Sequence, residues 1–253
     1  QHWLYDIDSL DAMSKAAELK PGDVVLEVGP VLGTLTEVLI SDGAQVTAVE
    51  FDPELFRELQ SEAGQFSHVY KTKLTLVNED ILKFDLSQMP QGYKVVANIP
   101  YYLTSNLVRR LLEAENQPSV IALLIQKEVA ERIVAGPGQH SLLSISVQFY
   151  AEAELRELVP AELFTPPPKV DSQIIKIVPR EKPLFPDVDT NKFFKIVRAG
   201  FSEKRKKLRS SLSGGLHMSK SDVDDWLQRA HITADARAQE LALEQWHDLT
   251  VTR

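Results

Sequence analysis

The stretch Val24-Val25-Leu26-Glu27-Val28-Gly29-Pro30-Val31-Leu32-Gly33-Thr34 decides the fold reading. Its first five residues follow a turn at Pro21-Gly22-Asp23 and are mostly apolar, which predicts a buried strand. Leu35 to Ile40 then predicts a helix with Leu35, Val38 and Leu39 on one face. A strand that enters a helix through a glycine-bearing turn lets backbone come close to a ligand seated there. Taken alone, two glycines after a strand make only a turn.

The same alternation continues outward. Gln45 to Val49 reads as a second strand, and Pro53-Glu54-Leu55 opens a helix where proline's missing N–H costs nothing. Leu74 to Val77 and Lys94 to Ala97 read as the third and fourth strands. A helix over Ser105 to Ala114, a fifth strand over Val120 to Ile125 and a helix over Lys127 to Val134 follow. Such alternation predicts a mostly parallel sheet covered on both faces. Leu142 to Phe149 and Gln173 to Val178 read as β-rich, the second after the rigid lead-in Pro166-Pro167-Pro168. Beyond Pro186 the segments Asn191 to Leu212, Ser219 to Ala230 and Leu241 to Leu249 read as helices, with Ser219 and Ser221 as caps. We therefore expect an α/β domain over residues 1–183 and a smaller all-α domain over residues 184–253.

The chain has 253 residues, enough for one or two domains and a real core without staples. Its 43% hydrophobic and 25% charged content excludes a disordered or collagen-like chain. No apolar run reaches the roughly 18 residues of a membrane span. The opening residues have neither the basic start nor the apolar run of a signal peptide. The absence of cysteine removes disulfides, Cys-ligated zinc and a thiol nucleophile, and fits a reducing, cytoplasmic setting. Charge is unevenly spread. Residues 191–212 hold Lys192, Lys195, Arg198, Lys204, Arg205, Lys206, Lys207 and Arg209 against one acid, Glu203. The overall balance is −8, so a basic segment sits within an acidic chain. Phosphates meet the local field, not the net charge, so this segment points to nucleic acid. The bland reading is a solvated helix face.

Three strand ends fall in register. Glu50 closes the second strand, where an acid can bind both ribose hydroxyls. Asn78-Glu79-Asp80-Ile81 ends the third, where Asp80 can face an adenine amino group. The first loop lacks the second glycine of the full G-x-G-x-x-G pattern, so S-adenosylmethionine fits better than NAD. The fourth strand runs into Asn98-Ile99-Pro100-Tyr101. An exocyclic amine such as adenine N6 is a poor nucleophile until its lone pair is localised. The Asn98 side-chain oxygen and a backbone carbonyl beside Pro100 would accept its N–H bonds and stabilise positive charge developing on nitrogen. Tyr101 offers a flat surface for an extruded base. Phe164, in Phe164-Thr165-Pro166-Pro167-Pro168-Lys169, would form the opposite wall of that slot, or is simply a core phenylalanine.

These residues resemble the KsgA (RsmA) family of small-subunit rRNA adenine dimethyltransferases over nearly the whole chain. The matching strings are Gln1 to Asp6, Leu26 to Thr36, Ala97 to Ser105, Gln126 to Ala130, Phe164 to Ser172 and Phe201 to Leu212. The resemblance implies a Rossmann-like S-adenosylmethionine-dependent methyltransferase sheet with a helical C-terminal domain. It implies dimethylation, on N6, of two adjacent adenines in the 3′-terminal hairpin of 16S rRNA, with S-adenosylhomocysteine as product. His2, Leu4, Gly29, Glu50, Asp80 and Asn98 correspond to cofactor contacts. Asn98, Pro100, Tyr101 and Phe164 correspond to the target-base site. Lys204, Arg205, Lys206, Lys207 and Arg209 would grip RNA in the small ribosomal subunit or its precursor. Two departures stand out. Val31 replaces the usual glycine, and a β-branched residue disfavours positive φ, so weakened cofactor binding or a shifted loop is expected. The sequence also starts at Gln1, past the family's glycine and basic arm; without such an arm RNA docking would be weaker.

Rival readings are an Erm-type 23S rRNA methyltransferase, a DNA adenine methyltransferase and a non-catalytic ribosome-assembly factor. The strings at Phe164 to Ser172 and Phe201 to Leu212 favour the KsgA family over the first two. Intact Glu50, Asp80, Asn98 and Tyr101 argue against the third. No metal is expected, because His2, His68, His140, His217, His231 and His247 lack ligand spacing. Trp226 and Trp246 read as C-terminal core. Lys127-Glu128 reads as structural. A monomer is expected, since no dimer seam is visible, and no membrane partner.

Overall fold

The computed structural model of the chain describes residues 2–63, 72–203 and 205–253; Gln1, His68 and Lys204 lie outside them. Two compact units emerge, one of Gln1–Ala130 with Glu152–Pro179, the other of Glu131–Ala151 with Arg180–Arg253.

Among the described residues the first unit is built on nine strands: β1 (Trp3–Leu4), β2 (Val24–Val28), β3 (Gln45–Glu50), β4 (Leu74–Asn78), β5 (Lys94–Asn98), β6 (Val120–Gln126), β7 (Ala151–Val159), β8 (Phe164–Thr165) and β9 (Ser172–Pro179). Seven of them form one sheet in the order β4-β3-β2-β5-β6-β9-β7. From β4 to β6 the pairs are parallel; β9 runs antiparallel to β6, with Leu123 opposite Ile175. Val25, Leu26 and Ile121 to Ile125 are at most 1% exposed, as befits parallel strands covered on both faces. Helices α1 (Ile7–Ala16), α2 (Thr34–Ser41) and α3 (Pro53–Ala63) lie in the first half of the unit. The chain moves outward from β2 through β3 to β4, then returns to β5 on the other side of β2. The β2/β5 junction is therefore a topological switch point, the place where open α/β sheets bind ligands beyond the carboxyl ends of the strands.

Three expectations are corrected. Leu142 to Phe149 is a helix, Leu142–Tyr150, not a strand. A short apolar run fits either element, and here Ser141 settles it with a capping box shared with Ser144. The strand comes next instead, as β7. The expected single helix over Asn191 to Leu212 is two, Thr190–Gly200 and Leu208–Leu216. Ser202 Oγ donates to Ala199 O (2.7 Å), taking a carbonyl that a continuing helix would use, and Lys207 is extended at the next N-cap. Finally, residues 131–151 pack with the C-terminal helices, and the second crossing falls at Pro179/Arg180 instead of 183/184. Ile145 and Phe149, one helical turn apart, draw this segment into the second core, where Phe149 stacks on Phe193 at 4.6 Å.

That second unit also contains the helices Lys220–Arg229 and Leu243–Val251. Ser219 caps the former, as expected. Trp226 and Trp246 are fully buried in its core, with Trp226 Nε1 donating to Leu249 O at 3.0 Å.

Candidate functional site

The ends of β2, β3, β4 and β5 open onto one cavity of about 820 Å³ within the first unit. The β2–α2 loop forms its floor. Gly29 has φ +66° and donates to Val49 O (2.9 Å), and open space lies where a Cβ would point. At Gly33 (φ +79°) a Cβ would sit 2.7 Å from Leu59 Cδ1, the tip of a side chain that can give way, so it is the left-handed backbone that favours glycine there. Between them Val31 has φ +54°. The loop thus keeps a left-handed conformation despite its valine, held by Gly33 N–H to Pro30 O (2.8 Å) and Val31 N–H to Glu50 Oε2 (3.3 Å). A β-branched side chain in that region is strained.

Acids ring the loop. Glu50, 4% exposed, accepts from Asp52 N–H (2.9 Å) at its other oxygen. Asp80 Oδ1 accepts from Leu82 N–H at 2.9 Å, which fixes the carboxylate at the end of β4. Sequence reasoning missed Glu27, although an acid inside an apolar strand is the signal that marks it. It is 1% exposed; Oε2 accepts from Thr36 Oγ1 (2.6 Å), while Oε1 is buried without a hydrogen-bond partner among the described residues. Burial pushes its carboxyl up to about 8; the Thr36 hydroxyl opposes this and the nearby Glu50 charge adds to it.

Asn98 ends β5, half-buried on the cavity wall, and no side-chain hydrogen bond engages it among the described residues. Pro100 (φ −56°, ψ 135°) leads into a 3₁₀ turn over Tyr101–Leu103, closed by Leu103 N–H to Pro100 O at 2.9 Å. Tyr101 is half-buried, with its hydroxyl 3.1 Å from Ser172 Oγ on β9. Phe164 is 4% exposed: it belongs to the core and also lines the cavity. The β1–β8 pair puts Leu4 opposite Phe164, and His2 Nδ1 lies 2.6 Å from Pro166 O. Every residue expected from sequence at the cofactor and base sites therefore lines this one cavity. The aromatic rim was also missed from sequence: Trp3, Tyr5, Phe51 and Tyr102 line the cavity as well.

In the second unit the basic segment is partly engaged by acids. Lys206 pairs with Glu203 (2.6 Å), Lys207 with Asp235, and Arg209 bidentately with Asp224 at 2.5 Å. The Arg209 clamp joins two helices. Arg205 is exposed and has no ion pair among the described residues, and Lys204 lies outside them. Among the described residues no group of three or more His, Cys, Asp or Glu is placed to hold a metal ion.

Comparison with known structures gives the class. A dimethyladenosine transferase from Plasmodium falciparum is 26% identical, with a TM-score of 0.78 covering 99% of this chain and 96% of that one. The 23S rRNA methyltransferase ErmE is 29% identical, with a TM-score of 0.74 covering 99% and 98%. The fold is a Rossmann-like methyltransferase sheet with an appended helical unit. The model of the Ribosomal RNA adenine dimethylase family matches residues 1–252, and the chain belongs to that family. Among relatives, Ribosomal RNA small subunit methyltransferase A of Dehalococcoides mccartyi is 41% identical over 97% of this chain and 84% of its own. The protein of the same name from Rippkaea orientalis is 38% identical over 97% and 93%.

Proposed function

We propose that this chain transfers methyl groups from S-adenosylmethionine to N6 of two adjacent adenines in the 3′-terminal hairpin of 16S rRNA, acting on the small ribosomal subunit or its precursor as a cytoplasmic monomer. The observation that carries this reading is the convergence of Glu50, Asp80 and the Asn98–Tyr101 turn on one cavity at the sheet's switch point. The cavity suits the cofactor: its volume is that of a small-molecule site, Gly29 leaves open space, and acids stand at adjacent strand ends. Glu50 would hold ribose hydroxyls and Asp80 the adenine amino group, with His2, Leu4, Gly29 and Asn98 completing the contacts. When bound, S-adenosylmethionine supplies an activated methyl group.

The chain's own residues supply orientation and charge stabilisation. In the first transfer Asn98 Oδ1 and a carbonyl beside Pro100 accept the two N6–H bonds, and in the second one of them accepts the N–H that remains, localising the nitrogen lone pair and stabilising the charge that develops. Pro100 fixes that carbonyl. Tyr101, tethered through Ser172, supports one face of the extruded base, and Phe164 stands as the opposite wall. Water can take the proton afterwards, so no general base is required. Lys204, Arg205, Lys206 and Lys207 would meet phosphates, the last two by exchanging Glu203 and Asp235 for RNA. Arg209, held by Asp224, would position the helix that follows them.

The test is single-turnover methyl transfer to small subunits lacking the modification. We expect Asn98→Ala to fall about 10²- to 10³-fold, the usual loss of one preorganised partner of developing charge. Undiminished transfer by Asn98→Ala would overturn this use of the site.

A further inference from the structure

Large aromatic rings on the surface are informative when they gather in one place. Among the described residues, the aromatics that are substantially exposed are Trp3 (37%), Tyr5 (46%), Phe51 (71%) and Tyr102 (84%). All four line the cavity described above. Phe51 follows Glu50 and so stands on the cofactor side. Tyr102 follows Tyr101 and stands on the base side. Its ring is the most exposed aromatic of the four, yet its backbone is pinned. Leu103 N–H bonds Pro100 O, and Thr104 Oγ1 donates to Tyr101 O at 3.1 Å. In a 3₁₀ turn consecutive side chains diverge by about a third of a revolution. Tyr101 is thus half-buried and tied to Ser172, while Tyr102 is turned out to solvent from the same rigid turn.

We propose that Tyr102 is a substrate-positioning residue that stacks on the nucleobase adjoining the target adenine while the target lies against Tyr101. The inference deepens the proposed rRNA adenine methylation and rests on it. A base pulled from its stack leaves its neighbour with an uncovered π-face. A pre-placed, solvated tyrosine ring covers that face without asking for a particular base edge. Since the acceptors come as an adjacent pair of adenines, the same platform serves whichever of the two is waiting.

The test compares wild type, Tyr102→Phe and Tyr102→Ser on undermethylated small subunits, with S-adenosylhomocysteine affinity measured by calorimetry. At 84% exposure the side chain carries little packing, and equal melting temperatures check that the variants fold. We expect Tyr102→Ser to raise KM for the particle about tenfold, with kcat and S-adenosylhomocysteine affinity close to wild type. Tyr102→Phe, which keeps the ring, should restore KM. An unchanged KM in Tyr102→Ser overturns the proposal. So does a Phe variant as impaired as Ser, which would make the hydroxyl the contact. A parallel loss of S-adenosylhomocysteine affinity would place the ring on the cofactor instead and also overturn it. If wild type itself transfers nothing to the particle, the functional reading falls first and takes this inference with it.

Discussion

Val31 concentrates the conflict between local preference and site geometry. The valine stands at φ +54° between two glycines that also have positive φ, where a β-branched residue costs roughly 1–3 kcal/mol. Val31→Gly should relieve that strain, offset in part by glycine's greater unfolded freedom, for a net gain of about 1 kcal/mol in stability. It should also tighten cofactor binding by removing bulk from the cavity floor; equal S-adenosylhomocysteine affinity for both forms in calorimetry would contradict this. Glu27 gives a pH signature. Its carboxyl is raised from an ordinary 4.5 to about 8, so the folded chain holds a proton that the unfolded chain loses in that window. Its contribution therefore makes stability fall as pH rises from 4.5 towards about 8, and level off above. Glu27→Gln, neutral throughout and still able to accept from Thr36, should flatten that part of a melting-temperature profile. The positions of Glu50, Asp80 and Asn98 on the cavity were legible in the sequence because Glu50 and Asn98 close strands whose pattern is plain and Asp80 follows the end of β4 by two residues. Tyr102 was not, since its outward orientation depends on the 3₁₀ turn that follows Pro100, which no periodicity records.

At the scale of elements, the parallel strands announced themselves through short apolar runs bounded by turns. The failure over Leu142 to Phe149 has the same root: an apolar run carries no period that separates strand from buried helix. Its cap decided the matter. Ser141→Ala should cost about 1 kcal/mol and lower the melting temperature of the helical unit. Close helix packing in that unit was also invisible in sequence. A Cβ at Gly200 would run into the Trp246 ring, and one at Gly215 would come within 2.8 Å of Ala199 Cβ. Gly200→Ala should therefore destabilise by about 1–3 kcal/mol through overpacking, with a changed near-ultraviolet dichroism from displaced Trp246. An unchanged melting curve and spectrum would mean that the helices separate freely there. Arg209 belongs to this scale too. It reads as an RNA contact in a basic string, but the acid that claims it comes from a helix fifteen residues on.

For the whole molecule, the proposed function would have an acidic chain meet a polyanion through a segment whose charges are partly answered by its own acids. Exchange of Glu203 and Asp235 for phosphate trades one pair for another, so much of the gain would come from counterion release. Particle binding should weaken linearly with log salt, and replacing Arg205 and Lys206 by Ala should reduce the slope by about one for each phosphate left unneutralised. A slope unchanged in both variants would remove the segment from the interface. The sequence changes character after Pro186, but the inclusion of residues 131–151 in the second unit left no mark in it, because membership depends on tertiary packing of Ile145 and Phe149. The central claim is tested most directly by offering labelled S-adenosylmethionine and the chain to undermethylated small subunits, large subunits and naked DNA, then digesting each to nucleosides. Label in N6,N6-dimethyladenosine from the small subunit alone is the expected result. Label in the large subunit or DNA instead, or none in any substrate, would contradict the account.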